Sequence, residues 1–75
     1  MSITFEKVKV AGLQEHYIVW VDKEPVNIIK VERFNNGKIY AYIYNGFPHK
    51  YLYMAQGTAR NEYLNNTVYS IRGNV

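Results

Sequence analysis

Cysteine is absent from this chain, so neither disulfides nor thiolate-bound zinc can stabilise it. Histidine occurs twice, at His16 and His49, and serine only at Ser2 and Ser70, with no nucleophile-elbow sequence around either. No glycine-rich phosphate loop and no metal-ligand spacing is present. The acidic residues Glu6, Glu15, Asp22, Glu24, Glu32 and Glu62 are scattered, with no pair at a set separation. These absences argue against an enzyme and leave no cofactor or metal to expect. No stretch approaches the ~20 apolar residues of a membrane-spanning helix, and Met1–Lys7 contains no apolar leader core. The reading is a soluble, cytoplasmic protein, in which the acceptor-like Asn65-Asn66-Thr67 is a chance match. Acidic residues are also fewer than basic ones, six against nine, for a net charge of +3. That balance excludes a polyanionic DNA mimic, and it is weaker than the basic bias of many nucleic-acid-binding folds.

What the chain has is tyrosine, eight of them in 75 residues. At this length one small domain, residues 1–75, is expected. Such a chain buries only about 60–65% of its unfolded surface, and oligomerisation is a common remedy for the thin margin. The joint abundance of Asn, Ile, Lys and Tyr fits an AT-rich coding genome, such as those of many firmicutes and bacteriophages.

Ile3 to Val10 reads as a first strand. Its apolar parity changes from Ile3 and Phe5 to Val8 and Val10, which suggests a bulge near Lys7 or a change of partner. Gln14 to Val21 is a second strand, apolar on both parities and so central or covered on both faces. Trp20 on this strand reads as core. Asp22-Lys23-Glu24-Pro25 is a polar turn, and Val26 to Phe34 a third strand. Asn35-Asn36-Gly37 makes a three-residue hairpin loop pairing Phe34 with Lys38.

Lys38 to Tyr53 is the most patterned stretch. Ile39, Ala41 and Ile43 alternate with Tyr40, Tyr42 and Tyr44, and Asn45-Gly46 supplies a two-residue turn. Across that turn Tyr44 faces Phe47, Tyr42 faces His49 and Tyr40 faces Tyr51. Carried regularly from the preceding loop, the register puts Val31 opposite Ala41 and Ile29 opposite Ile43. One face then collects Ile29, Val31, Ile39, Ala41, Ile43, Leu52 and Met54. The other collects the tyrosines with Lys30, Glu32 and Phe34, and these charges mark the tyrosine face as the one meeting water.

Beyond Lys50 two readings compete. One continues a strand to about Met54, breaks at Gln56-Gly57, places a short helical turn over Thr58–Leu64 capped by Thr58, and ends on a strand from Thr67 to Arg72. The other starts a helix after Pro48 with Leu52, Ala55, Ala59 and Tyr63 on one face, at a cost of about 1 kcal/mol for Gly57. The first is preferred. The expected fold is therefore all-β or β-dominated: a five- to six-stranded antiparallel meander or small barrel, SH3-like or OB-like, with one short helical turn before the last strand.

The candidate binding residues are Tyr40, Tyr42, Tyr44, Phe47, His49, Tyr51 and Tyr53, flanked by Lys30, Lys38 and Lys50. Lys38-Ile39-Tyr40-Ala41-Tyr42-Ile43 resembles part of the aromatic strand signature of RNA-recognition motifs. Isoleucine replaces the glycine after the basic residue, and Asn45 stands where the final aromatic belongs. Ala11-Gly12-Leu13 also leaves no room for that family's first helix, so the likeness is one of pattern and not of kinship. Exposed rings with flanking lysines suit single-stranded nucleic acid, whose bases stack for about 1–3 kcal/mol each. A mixed-charge, tyrosine-rich surface suits a protein partner better. The expectation is a non-enzymatic protein-binding module, a phage-type regulator or inhibitor of a larger enzyme, with a homodimer or higher oligomer as one form. A single-stranded nucleic-acid-binding barrel is the alternative. The bland alternative puts the tyrosines in the second layer of the core.

Overall fold

The computed structural model describes residues 2–12 and 14–73, with side chains described as far as Leu64. Five strands come first: β1 (Ile3–Ala11), β2 (Gln14–Val21), β3 (Glu24–Arg33), β4 (Ile39–Tyr44) and β5 (Phe47–His49). They form one antiparallel sheet in the order β1-β2-β3-β4-β5. A helix, α1 (Leu52–Gly73), follows. The β-dominated antiparallel meander expected from the sequence is what the chain forms. The sheet is open and not closed into a barrel, and the helix follows the strands.

The expected turns hold, since they rest on local chemistry. Asn45 (φ 53°) and Gly46 (φ 78°) both take left-handed dihedrals, the requirement of a two-residue hairpin turn whose twist matches its strands. Phe34 N–H donates to the Lys38 carbonyl at 2.8 Å and closes the three-residue loop, with Gly37 at φ 89°. The third strand starts at Glu24, before Pro25 and not after it. Pro25 is tolerated because it lies at the strand's start beside a bulge, where Trp20 pairs with Pro25 but Val19 pairs with Asn27. In β1 the ladder runs regularly through Lys7, and the irregularity falls between Lys9 and Ala11. The apparent parity change has a simpler cause: Ile3 and Phe5 lie under the helix, while Val8 belongs to the other face.

The register of β4 differs from the regular one. Arg33 pairs with Ile39, as the loop dictates, but Glu32 pairs with Ala41, leaving Tyr40 as an extra residue. One bulged residue moves every later side chain to the opposite face. Val31 therefore lies opposite Tyr42 and Ile29 opposite Tyr44, while Lys30 and Glu32 share their face with Ile43 and Ala41. The face carrying Lys30 and Glu32 is indeed the uncovered one. It holds Ala41 and Ile43, while Tyr42 and Tyr44 point under the helix with Ile29 and Val31.

The helix displaces three further expectations. Leu52–Met54 is helical and not strand, Thr58 lies mid-helix, and Thr67–Arg72 belongs to α1 and not to a last strand. Thr58 Oγ1 donates to the Met54 carbonyl at 3.0 Å, the back-bond of an interior helical threonine. The periodic face Leu52, Ala55, Ala59 and Tyr63 is the one that packs on the sheet. Ala55 and Ala59 are fully buried against Val19, Ile29 and Tyr44, with Ile3, Phe5, Tyr17 and Tyr42 around them. Small helix residues facing large sheet rings fill the layer without overpacking.

Candidate functional site

Tyr44 is the residue the sequence reading misplaces most. It is 1% exposed and lies in the core. Asn27 Nδ2 donates to its hydroxyl at 3.1 Å and to Asn45 Oδ1 at 3.0 Å, and Asn45 Nδ2 donates in turn to Glu62 Oε2 at 2.8 Å. Burial, reinforced by Tyr63 and Glu62, pushes the Tyr44 phenol well above the ordinary tyrosine range. This network ties the β4–β5 turn to β3 and the helix, which is structural work. Tyr42 is half-buried beside the same core.

The other candidate residues separate into three places. Phe47, His49, Lys50, Tyr51 and Tyr53 gather at the β5 edge and the start of α1. Phe47 and Tyr53 are each 66% exposed there, and the Tyr51 and Tyr53 rings stack at 5.6 Å with Lys50 Nζ 5.5 Å from the Tyr51 centroid. His49 lies 5.3 Å from Phe47 between ring centroids, its Nε2 buried without a hydrogen-bond partner. Tyr40, thrown out of the ladder by the bulge, stacks on Phe34 at 4.7 Å near the exposed Lys38. Lys30 stands alone of the set on the uncovered sheet face. The continuous tyrosine platform is therefore not assembled. Two exposed ring pairs remain, in separate parts of the molecule.

The uncovered face carries a set of residues the sequence reading did not select. In rows across the strands it presents Thr4, Trp20 and Pro25, then Glu6, Ile18 and Ile28, then Val8, His16, Lys30, Ile43 and Pro48, and finally Glu32 with Ala41. Ile18, Trp20, Ile28 and Ile43 are each only partly covered. Trp20 Nε1–H donates to Glu6 Oε1 at 3.1 Å, tying the indole of β2 to β1. A sheet face that only meets water normally alternates to polar residues. This one keeps a tryptophan and three isoleucines there, with Glu6 beside Trp20 and the remaining charges in the rows of Lys30 and Glu32. The doubly apolar pattern of the second strand was the signal for it: Tyr17, Val19 and Val21 face the helix, and Ile18 and Trp20 face outward. Trp20 is thus on the open face and not in the core.

No family model, curated protein or solved structure matches the chain. Among the described residues no group of three or more His, Asp or Glu side chains gathers to hold a metal. Among them, too, no helix is long and apolar enough to cross a membrane. The ion pairs found, Glu15 with Lys7 at 2.8 Å and with Arg33 at 3.3 Å, lie on the helix-side face away from the Trp20 patch. Arg33 also donates to the Gly37 carbonyl at 2.7 Å, so this cluster braces the β3–β4 loop.

Proposed function

We propose that the protein is a non-enzymatic, protein-binding module of the cytoplasm that engages its partner through the uncovered sheet face, and that it serves as a small regulator or inhibitor, of phage type, of a larger protein. The observation that carries this is the Trp20 row and its neighbours: Ile18, Ile28, Val8 and Ile43 form an apolar centre beside Lys30, Glu32, Glu6 and His16. An apolar patch that includes a large aromatic and is edged by mixed charge has the composition of a protein interface. It takes the place of the tyrosine face, whose central rings support the fold instead. The alternative, stacking of single-stranded nucleic acid, loses the ring ladder that motivated it, because Tyr42 and Tyr44 lie against the helix.

A photoreactive amino acid at Ile18 tests the reading, with one at the exposed Asn61 on the outer side of α1 as control. Irradiation in host lysate is expected to yield a discrete protein adduct from position 18 and none from 61. No adduct at 18, or the same adducts at both positions, overturns it.

A further inference from the structure

The uncovered face has a symmetry that names an occupant. Read outward from the line between β2 and β3, its rows repeat in both directions: Trp20 against Pro25, Ile18 against Ile28, and His16 with Val8 against Lys30 with Ile43. A two-fold axis lying in the interface, parallel to the strands and between β2 and β3, lays β2 of one copy over β3 of the other and β1 over β4. Rows are preserved by that operation. Trp20 then meets the partner copy's Pro25, Ile18 meets Ile28 and Val8 meets Ile43, apolar on apolar, while His16 meets Lys30 in the third row. Turning each sheet by about 15° about the interface normal supplies the ~30° at which aligned sheets pack, without breaking the symmetry.

We propose that a second copy of this chain covers the face, giving a symmetric sheet-on-sheet dimer with the helices outside. This inference rests on the reading above that the uncovered face is a protein interface, and it assigns the occupant of that face in the free protein. An isologous interface must be self-complementary, and the matched rows meet that requirement. Lys30 and Glu32 are opposite in sign on adjacent rows at the same end, so the charged rim is balanced overall although like residues share a row. The size suffices. Four strands at ~4.8 Å spacing and about 20 Å of length give a patch on the order of 400 Å² per copy, and with side-chain relief about 1,000 Å² in all, the lower bound of a specific interface. The need is present as well, since among the described residues the buried core is a small cluster around Val19, Ile29 and Tyr44.

The chain's lack of cysteine allows a clean test. Light scattering over a micromolar-to-millimolar series is expected to show mass rising from 8.8 kDa toward twice that, with a blue shift of the single tryptophan. An equimolar mixture of Val8→Cys and Ile43→Cys chains, treated with a short bis-maleimide, is expected to give the mixed cross-link. Val8→Cys alone is expected to give little, because its two copies lie about 14 Å apart laterally, three strand spacings. Ile28→Arg is expected to abolish the mass increase, and the cross-link reads the geometry even if that variant folds poorly. A constant 8.8 kDa at every concentration, or equal cross-linking of Val8→Cys with itself, overturns the dimer. If such a monomer still gives a foreign-protein adduct at position 18, the dimer alone falls. If it gives none, the binding reading falls with it.

Discussion

Deleting Tyr40 tests the register on which the faces of the sheet depend. Tyr40 is the extra residue between Ile39, paired with Arg33, and Ala41, paired with Glu32. Without it, Ile39 and Ala41 become neighbours opposite two neighbouring residues, and the ladder turns regular. Tyr42 and Tyr44 stay beneath the helix. The deletion removes the stack of Tyr40 on Phe34, with ring centroids 4.7 Å apart. Aromatic pairs of this kind contribute about 0.5–1.5 kcal/mol, so the expected cost is about 1 kcal/mol. With a urea slope of about 1 kcal/mol per molar for a chain this short, the midpoint falls by about 1 M while the slope stays unchanged. Far-UV circular dichroism and Trp20 fluorescence should report one coincident transition. A regular register with Val31 opposite Ala41 predicts the reverse. Deletion there would swing Tyr42 and Tyr44 to the other face and cost at least the ~3–5 kcal/mol of removing a buried ring. A destabilisation of that size, or the disappearance of cooperative unfolding, would refute the bulge.

Three other outcomes follow from the packing. Tyr42→Ala should destabilise the fold by about 2 kcal/mol in urea unfolding, as expected for a half-buried ring, whereas Tyr53→Ala should change stability by less than about 0.5 kcal/mol. Gly57→Ala should stabilise by about 1 kcal/mol, because an added Cβ meets nothing within 4 Å; calorimetry should show Tm rising by about 4–8 °C. The raised phenol of Tyr44 makes stability pH-dependent at the alkaline end. Its folded pKa exceeds the unfolded value near 10, so the contribution is complete below about pH 10 and is lost above it by up to ~1.4 kcal/mol per pH unit. Denaturation curves of Tyr44→Phe should lack that slope and, at neutral pH, cost about 1 kcal/mol, since Asn27 keeps Asn45 as an acceptor.

The features legible in the chain are those governed by neighbours in sequence. Asn45-Gly46 and Asn35-Asn36-Gly37 specify their turns because few residues accept positive φ, and the alternation along β2, β3 and β4 specifies strands. The doubly apolar second strand already signalled that both of its faces have work to do. The helix was legible only as a weaker alternative. Tyr51, at its start, has no side-chain oxygen placed as Ser or Asp would place one to cap it, Gly57 lowers its propensity, and its buried face is largely alanine. Its stability comes from the sheet beneath it, which local propensity does not contain.

The first four strands and their hairpin turns, then, were settled by the sequence alone, whereas the strands expected over Leu52–Met54 and Thr67–Arg72 became helix. Which side of each strand is buried was decided by tertiary structure, through a single unpaired residue. The side-chain period of a strand is two, so one bulge at Tyr40 inverts every assignment downstream of it. The energy that selects the bulge is non-local. It places Tyr44 and Tyr42 against Ala55, Ala59 and Leu52, a helix face that exists only once the chain has folded back, and it leaves Lys30 and Glu32 in water with the tryptophan face open beside them.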